Sequence, residues 1–136
     1  MRTTPYLQFN GNCNEAIHFY SEVFKSSPQV LTFKEANQGE ESYLPPMFDN
    51  LVMYGELDVF GEKVVFGDVF PGSEYVVGNN IFFTITHEDV NTLKHVYEKL
   101  SENGHVKVQL QKTDWNECFG LVTDKYGITW QILCEQ

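Results

Sequence analysis

Apolar residues at Ala16, Phe19, Tyr20 and Val23 follow the i, i+3, i+4, i+7 spacing of one helix face, and Asn12 is placed to cap its start. Val90, Leu93, Val96, Tyr97 and Leu100 repeat that spacing. Thr86 or Asp89 opens this second helix and Asn103-Gly104 closes it. Short runs rich in β-branched and aromatic residues predict strands near 5–9, 29–34, 50–58 and 63–69, and again near 80–86, 106–111, 118–123 and 128–134. Phe60-Gly61-Glu62 closes a hairpin between the third and fourth of these. Asp124 to Gly127 supplies turn chemistry between the last two. Segments 36–49 and 70–79 are rich in Gly, Glu, Ser and Pro and read as loops. The first is long enough to serve as a lid or a partner-facing arm.

Laid over one another at an offset of 77, the helices match at Asn14 with Asn91, His18 with His95 and Tyr20 with Tyr97. Each is preceded by one strand-like run and followed by further strands. The chain therefore reads as a strand-helix-strand-strand-strand unit of about 70 residues used twice. That predicts an α+β fold, with helices only after the first strand of each half. A single domain spans 1–136, with one module at about 1–72 and a second at about 76–136.

Composition narrows the function classes. The chain has 136 residues, 42% hydrophobic and 15% aromatic, enough for a packed core. Nine basic against nineteen acidic side chains give a net charge of −10, which disfavours nucleic acid and anionic membrane surfaces. No run of about 18 apolar residues occurs and the start lacks a signal-peptide stretch, so the expected location is cytoplasmic. Cys13, Cys118 and Cys134 are an odd number without paired spacing. They predict free thiols rather than a disulfide framework or a zinc knuckle, with Cys118 a small buried residue.

Several motifs resemble one family. Pro5-Tyr6-Leu7-Gln8-Phe9-Asn10-Gly11-Asn12 runs into Glu15-Ala16 and Phe19-Tyr20. Gly78-Asn79-Asn80 precedes the fifth strand, Asp89-Val90 enters the second helix, and Trp115 stands before Phe119-Gly120. Asp124 and Gly127 frame the last turn. Together these resemble the PhnB-like proteins of the vicinal-oxygen-chelate superfamily, the glyoxalase, bleomycin-resistance and dioxygenase group. The resemblance implies duplicated βαβββ modules forming a cup-shaped mixed sheet, and a homodimer. It does not fix a reaction, because this scaffold hosts lyases, isomerases, dioxygenases and plain binding proteins.

The resemblance also implies where a divalent metal would be held: at the start of each module's first strand and late in each module. The first strand offers Pro5, Tyr6 or Gln8 and the fifth offers Asn80, Ile81 or Phe82. The fourth strand offers Asp68. Four residues past Gly127, where relatives carry a ligating Glu, stands Gln131, and Tyr54 stands where many carry His. One carboxylate and an amide fall short of the roughly three good ligands a catalytic site uses. No metal and no cofactor are therefore expected. The histidines do not change this, since His18 and His95 are expected on solvent-exposed helix faces, His87 at a helix start and His105 beside a glycine turn. No phosphate-binding glycine loop occurs, and no glycine-rich strand-to-helix turn suits an adenosyl cofactor, so the methyltransferase label that some relatives carry is not supported.

What remains is a pocket with aromatic walls. Tyr6 and Gln8 alternate with Leu7 and Phe9 and so point away from the first helix. Trp115 and Phe119 flank the seventh strand, either as ligand wall or as core, with core favoured for Phe119. Gln131 shares a face with Thr129 and Leu133, which turns Trp130 into the core. Tyr54, Glu56 and Asp68 are candidates for acid–base work, with Glu56 the more readily explained as facing water or a partner. The expected function is metal-independent binding of a small organic molecule through Tyr6, Gln8, Tyr54, Asp68, Trp115, Phe119 and Gln131. The alternative is a metal-dependent lyase, isomerase or dioxygenase.

Overall fold

Alternation fixes the first strand, β1 (Tyr6–Phe9), where Leu7 and Phe9 are buried and Tyr6 and Gln8 are exposed. A computed structural model describes residues 1–36 and 46–135, so most of the anticipated 36–49 lid lies outside the described residues. Helix α1 (Cys13–Phe24), strand β2 (Gln29–Thr32) and a single turn α2 (Phe33–Ala36) follow, then a 3₁₀ turn at Pro46–Phe48. Strands β3 (Val52–Val59) and β4 (Glu62–Asp68) complete the first half. The second half holds β5 (Phe82–His87), α3 (Val90–Ser101), β6 (His105–Gln111), β7 (Phe119–Thr123) and β8 (Thr129–Cys134). The chain divides into two compact units, Met1–Tyr75 and Val76–Gln136.

In the first unit the strand order is β1-β4-β3-β2, with β1 parallel to β4 and the other pairs antiparallel. Helix α1 covers one face of this sheet. Its Ala16, Ile17, Tyr20 and Val23 are buried against the sheet residues Phe9, Leu57 and Phe66, with the Tyr20 and Phe66 rings 5.7 Å apart. Each fully buried large apolar side chain stabilises the unit by roughly 2 kcal/mol. Gly55 permits this close fit, since a Cβ there would stand 2.8 Å from Ile17 Cδ1. The helix ends where Lys25 turns left-handed, at φ 51°, and its N–H bonds Ser21 O. The β3–β4 hairpin turns through Phe60 and Gly61, both at positive φ, as the tight two-residue hairpin requires.

The second unit repeats the plan, with order β5-β8-β7-β6 and β5 parallel to β8. Cys13 to Val90 and Phe24 to Ser101 mark helices that start and end 77 positions apart, the offset at which their sequences match. Leu93, Val96, Tyr97 and Leu100 of α3 are buried, as are the sheet residues Ile85, Val122, Trp130 and Ile132. Asp89 caps α3, its Oδ1 accepting from Asn91 N at 3.0 Å and its Oδ2 from the Thr92 hydroxyl at 2.9 Å.

Four expectations are corrected. Helical residues do not follow only the first strand of each half, because α2 adds a turn after β2. Asn12 precedes α1 without a side-chain capping bond, and Asp68 supplies that role from β4 instead. His95 is half-buried rather than solvent-exposed, and its Nε2 has no hydrogen-bond partner among the described residues. Cys118 and Cys134 are joined by a disulfide, so only Cys13 is a free thiol, and it is buried. The reason is register: Phe119 pairs with Leu133, which brings the preceding Cys118 opposite Cys134 at a Cα separation of 5.3 Å.

Candidate functional site

The face of each sheet turned away from its helix carries the polar and aromatic candidates. In the first unit, pairing sets Tyr6 beside Val65, and Val65 beside Glu56, and Glu56 beside Gln29. The neighbouring row runs Gln8, Gly67, Tyr54 and Leu31. Tyr6 is 51% exposed and Tyr54 39%. The Tyr6 hydroxyl lies against Gly67, in the space a Cβ would take. Partial burial pushes the Tyr6 phenol above its ordinary value, and the nearby Cys13 and Asp68 add to that rise.

Tyr54, Glu56 and Lys63 form a linked group on this face. Glu56 Oε2 accepts from the Tyr54 hydroxyl at 3.0 Å and pairs with Lys63 Nζ at 3.1 Å. The Lys63 and Tyr54 bonds hold the Glu56 carboxyl below the ordinary carboxylate range, and Glu56 in turn raises Lys63. Ser27, Gln29, Glu56, Leu57, Asp58 and Lys63 line a depression of about 250 Å³. Lys63 and Gln29 were not among the candidates drawn from the sequence. The signal that finds them is strand alternation, since Lys63, Val65 and Gly67 share one side of β4.

Asp68 is not on the open face in any chemical sense. It is 6% exposed; its Oδ1 accepts from Gly11 N at 2.8 Å and Cys13 N at 3.1 Å, and its Oδ2 from Val52 N at 2.9 Å. A carboxylate against the first N–H groups of α1 is favourable for the helix dipole as well as for the bonds themselves. Its role is to fasten α1 and β3 to the end of β4.

In the second unit, Phe119, Leu121 and Thr123 of β7 share the open face with Leu133, Gln131 and Thr129 of β8. Phe119 is half-buried there, not enclosed in the core, and its ring meets that of Trp115 edge-on at 5.1 Å. Trp115 is 58% exposed. Gln131 Nε2 donates to Thr84 Oγ1 at 3.4 Å, across its register partner on β5. Trp130 points the other way into the core, donating its indole N–H to Asp124 Oδ2 at 2.9 Å.

The two polar side chains at the expected metal positions on the fourth and last strands, Asp68 and Gln131, already have partners. Both Asp68 oxygens face backbone N–H groups, and Gln131 presents a neutral amide already bonded to a hydroxyl. His18 is exposed with Nδ1 donating to Asn14 O, His87 Nδ1 accepts from Asp89 N, and His105 is exposed at the start of β6. Among the described residues no three His, Cys, Asp or Glu side chains converge. The turn from β1 into α1 has one glycine, Gly11, and its N–H donates to Asp68 Oδ1. Among the described residues, no helix is long and apolar enough to cross a membrane.

A family model described as 3-demethylubiquinone-9 3-methyltransferase matches residues 1–133. The structure is similar to protein PA1353 from Pseudomonas aeruginosa, with TM-score 0.84 and 27% identity over 100% of this chain and 98% of that one. It is similar to the PhnB protein from Bacillus cereus, with TM-score 0.78 and 21% identity over 99% and 100% of the two chains. A glyoxylase/bleomycin resistance protein/dioxygenase domain from Frankia sp. EAN1pec shares the fold at TM-score 0.67 and 10% identity, over 100% and 98%. The α+β architecture, with the same strand order in both halves, is the fold shared with these structures.

Proposed function

We propose, from the premise that the chain belongs to the 3-demethylubiquinone-9 3-methyltransferase family and is a PhnB-like member of the glyoxalase-type superfamily, that it binds a small organic molecule without a metal. The observation that carries this reading is the engagement of Asp68. The one carboxylate on a strand position suited to a metal is consumed by Gly11, Cys13 and Val52 N–H groups. What the open faces offer instead is recognition chemistry. Tyr6 and Tyr54 with Gln8 in the first unit, and Trp115 and Phe119 with Gln131 in the second, each set aromatic surface beside an amide that both donates and accepts. Such a mix of apolar wall and few polar groups is the usual composition of a small-ligand site.

Exposed Phe70, Val76 and Ile81 support the further reading of a homodimer, because apolar side chains this open are commonly covered by a partner. Native mass spectrometry of protein purified without chelators tests both points. Twice the bare chain mass is expected. One divalent ion per chain would sink the metal-independent reading and favour the lyase, isomerase or dioxygenase alternative. Ligand binding is tested by a thermal-shift screen of small aromatic and amide-bearing compounds. Hits should weaken in Tyr6→Ala or Trp115→Ala, and hits indifferent to both changes would place the site elsewhere.

A further inference from the structure

We propose that the Cys118–Cys134 pair is a redox-set clasp on the Trp115–Phe119 aromatic wall, closed and opened by thiol–disulfide exchange with a low-molecular-weight disulfide or thiol. The consequence for ligand affinity rests on the binding reading above; the conformational response does not.

The clasp joins the residue just before β7 to the last residue of β8, 16 positions apart in sequence. Asn116 sits across the same junction. Its Nδ2 donates to Cys134 O at 3.1 Å, and its Oδ1 accepts from Cys118 N at 2.9 Å and Cys134 N at 3.1 Å. Cys134 N also donates to Cys118 O at 3.2 Å. These bonds hold the backbones at both cysteines without help from the sulfurs. Opening the disulfide therefore leaves the strands aligned, and both redox states are folded.

The same bonds carry the change to the open face. Phe119 follows Cys118 directly, and its ring packs on Trp115. Trp115 precedes Asn116, and the Thr113 hydroxyl accepts from the N–H groups of both, at 3.3 and 2.9 Å. Segment 113–118 is thus a short hydrogen-bonded bracket whose far end is tied by Cys118. With the clasp shut, the bracket and its exposed indole have one position. With it open, the bracket keeps its bonds but loses its covalent anchor, and the indole gains freedom. Cys13, the first residue of α1, does not compete for the exchange, because it is fully buried in the other unit.

The chemistry balances without a cofactor. One thiolate of the pair attacks the disulfide of the small molecule, forming a mixed disulfide and expelling one thiolate. The second cysteine then attacks the protein sulfur, forming Cys118–Cys134 and expelling the other thiolate. Two protein thiols are oxidised and one small-molecule disulfide is reduced to two thiols. Both cysteines are buried, so exchange requires the end of β8 to lift, beginning at the Glu135 N–H bond to His87 O.

The two tryptophans provide the readout, since Trp115 is 58% exposed and Trp130 only 2%. The full chain is equilibrated with oxidised or reduced glutathione and then examined by mass and by acrylamide quenching of fluorescence. The expected oxidised form is two hydrogens lighter and blocks two of its three thiols from alkylation under denaturing conditions. Reduction should raise quenching in the wild type. It should change nothing in Trp115→Phe, which lacks the reporter, or in Cys134→Ser, which is already open. Three alkylated thiols after oxidation would overturn the proposal. So would unchanged Trp115 quenching between the two states, or loss of the far-ultraviolet dichroism on reduction. A quenching response without any ligand found would refute the binding reading alone.

Discussion

The Asp68 carboxylate accepts the Cys13 N–H at 3.1 Å across 55 residues of sequence, so the first helix is capped by the last strand of its own unit. Asp68→Ala would leave that donor and those of Gly11 and Val52 unsatisfied in a largely buried place. The expected loss is about 3 kcal/mol, read from urea unfolding. Asp68→Asn should recover only part of it, because one oxygen becomes an NH₂ facing a donor. Zinc or manganese should leave the wild-type midpoint unmoved. A metal-dependent rise that Asp68→Ala removes would restore the metal reading.

Trp130→Phe should cost about 2 kcal/mol. It keeps most of the ring volume, and with it the contact to Phe83 at 5.3 Å, but deletes the indole donor to the buried Asp124. Asp124 also organises the β7–β8 turn by accepting from Tyr126 and Ile128 N–H groups. If Trp130→Phe unfolds at the wild-type denaturant midpoint, the indole bond is not structural.

Gly67→Ala separates stability from recognition. The new Cβ meets the Tyr6 hydroxyl, the free end of a side chain that can swing outward, so the loss of stability should stay near or below about 1 kcal/mol. Displacing Tyr6 rearranges the open face of the first sheet, and any ligand contacting it should bind more weakly. Equal affinity in wild type and Gly67→Ala for a ligand that Tyr6→Ala weakens would refute this positioning role.

Asp89 gives a pH signature. The Thr92 hydroxyl and the Asn91 N–H hold its carboxyl below the ordinary value of 3.8. A lowered folded value means that its stabilisation is fully present above 3.8 and is lost as pH falls through the lowered value. Asp89→Asn should therefore flatten the acid side of the melting-temperature profile below that point. A variant whose acid limb superimposes on that of the wild type would show that the cap contributes nothing through its charge.

The elements that local pattern dictates were legible in the sequence. The stripes at Ala16, Tyr20 and Val23 and at Leu93, Val96 and Leu100 predict the helices, and their 77-residue offset predicts a repeated strand order. Alternation at Tyr6 to Phe9 and at Thr129 to Cys134 sorts helix side from open side. The features that needed tertiary register were not legible. Asn12 looked like the cap because it stands next to α1, yet the competing acceptor comes from β4. Cys118 and Cys134 show no paired spacing until Phe119 is known to face Leu133. The turn α2 was hidden by the β-branched run before it; it forms because Glu35 and Thr32 bond one another through both side chains and the Glu35 N–H.

In each unit the first strand to be made is the last to be paired in register: Tyr6 waits for Val65, and Phe82 for Thr129. A chain emerging from the ribosome thus exposes one edge of β1 until nearly the whole first module is out, because the parallel partner is its final strand. Loop closure over that distance slows folding, and it places the aggregation-prone interval before β4 appears rather than after.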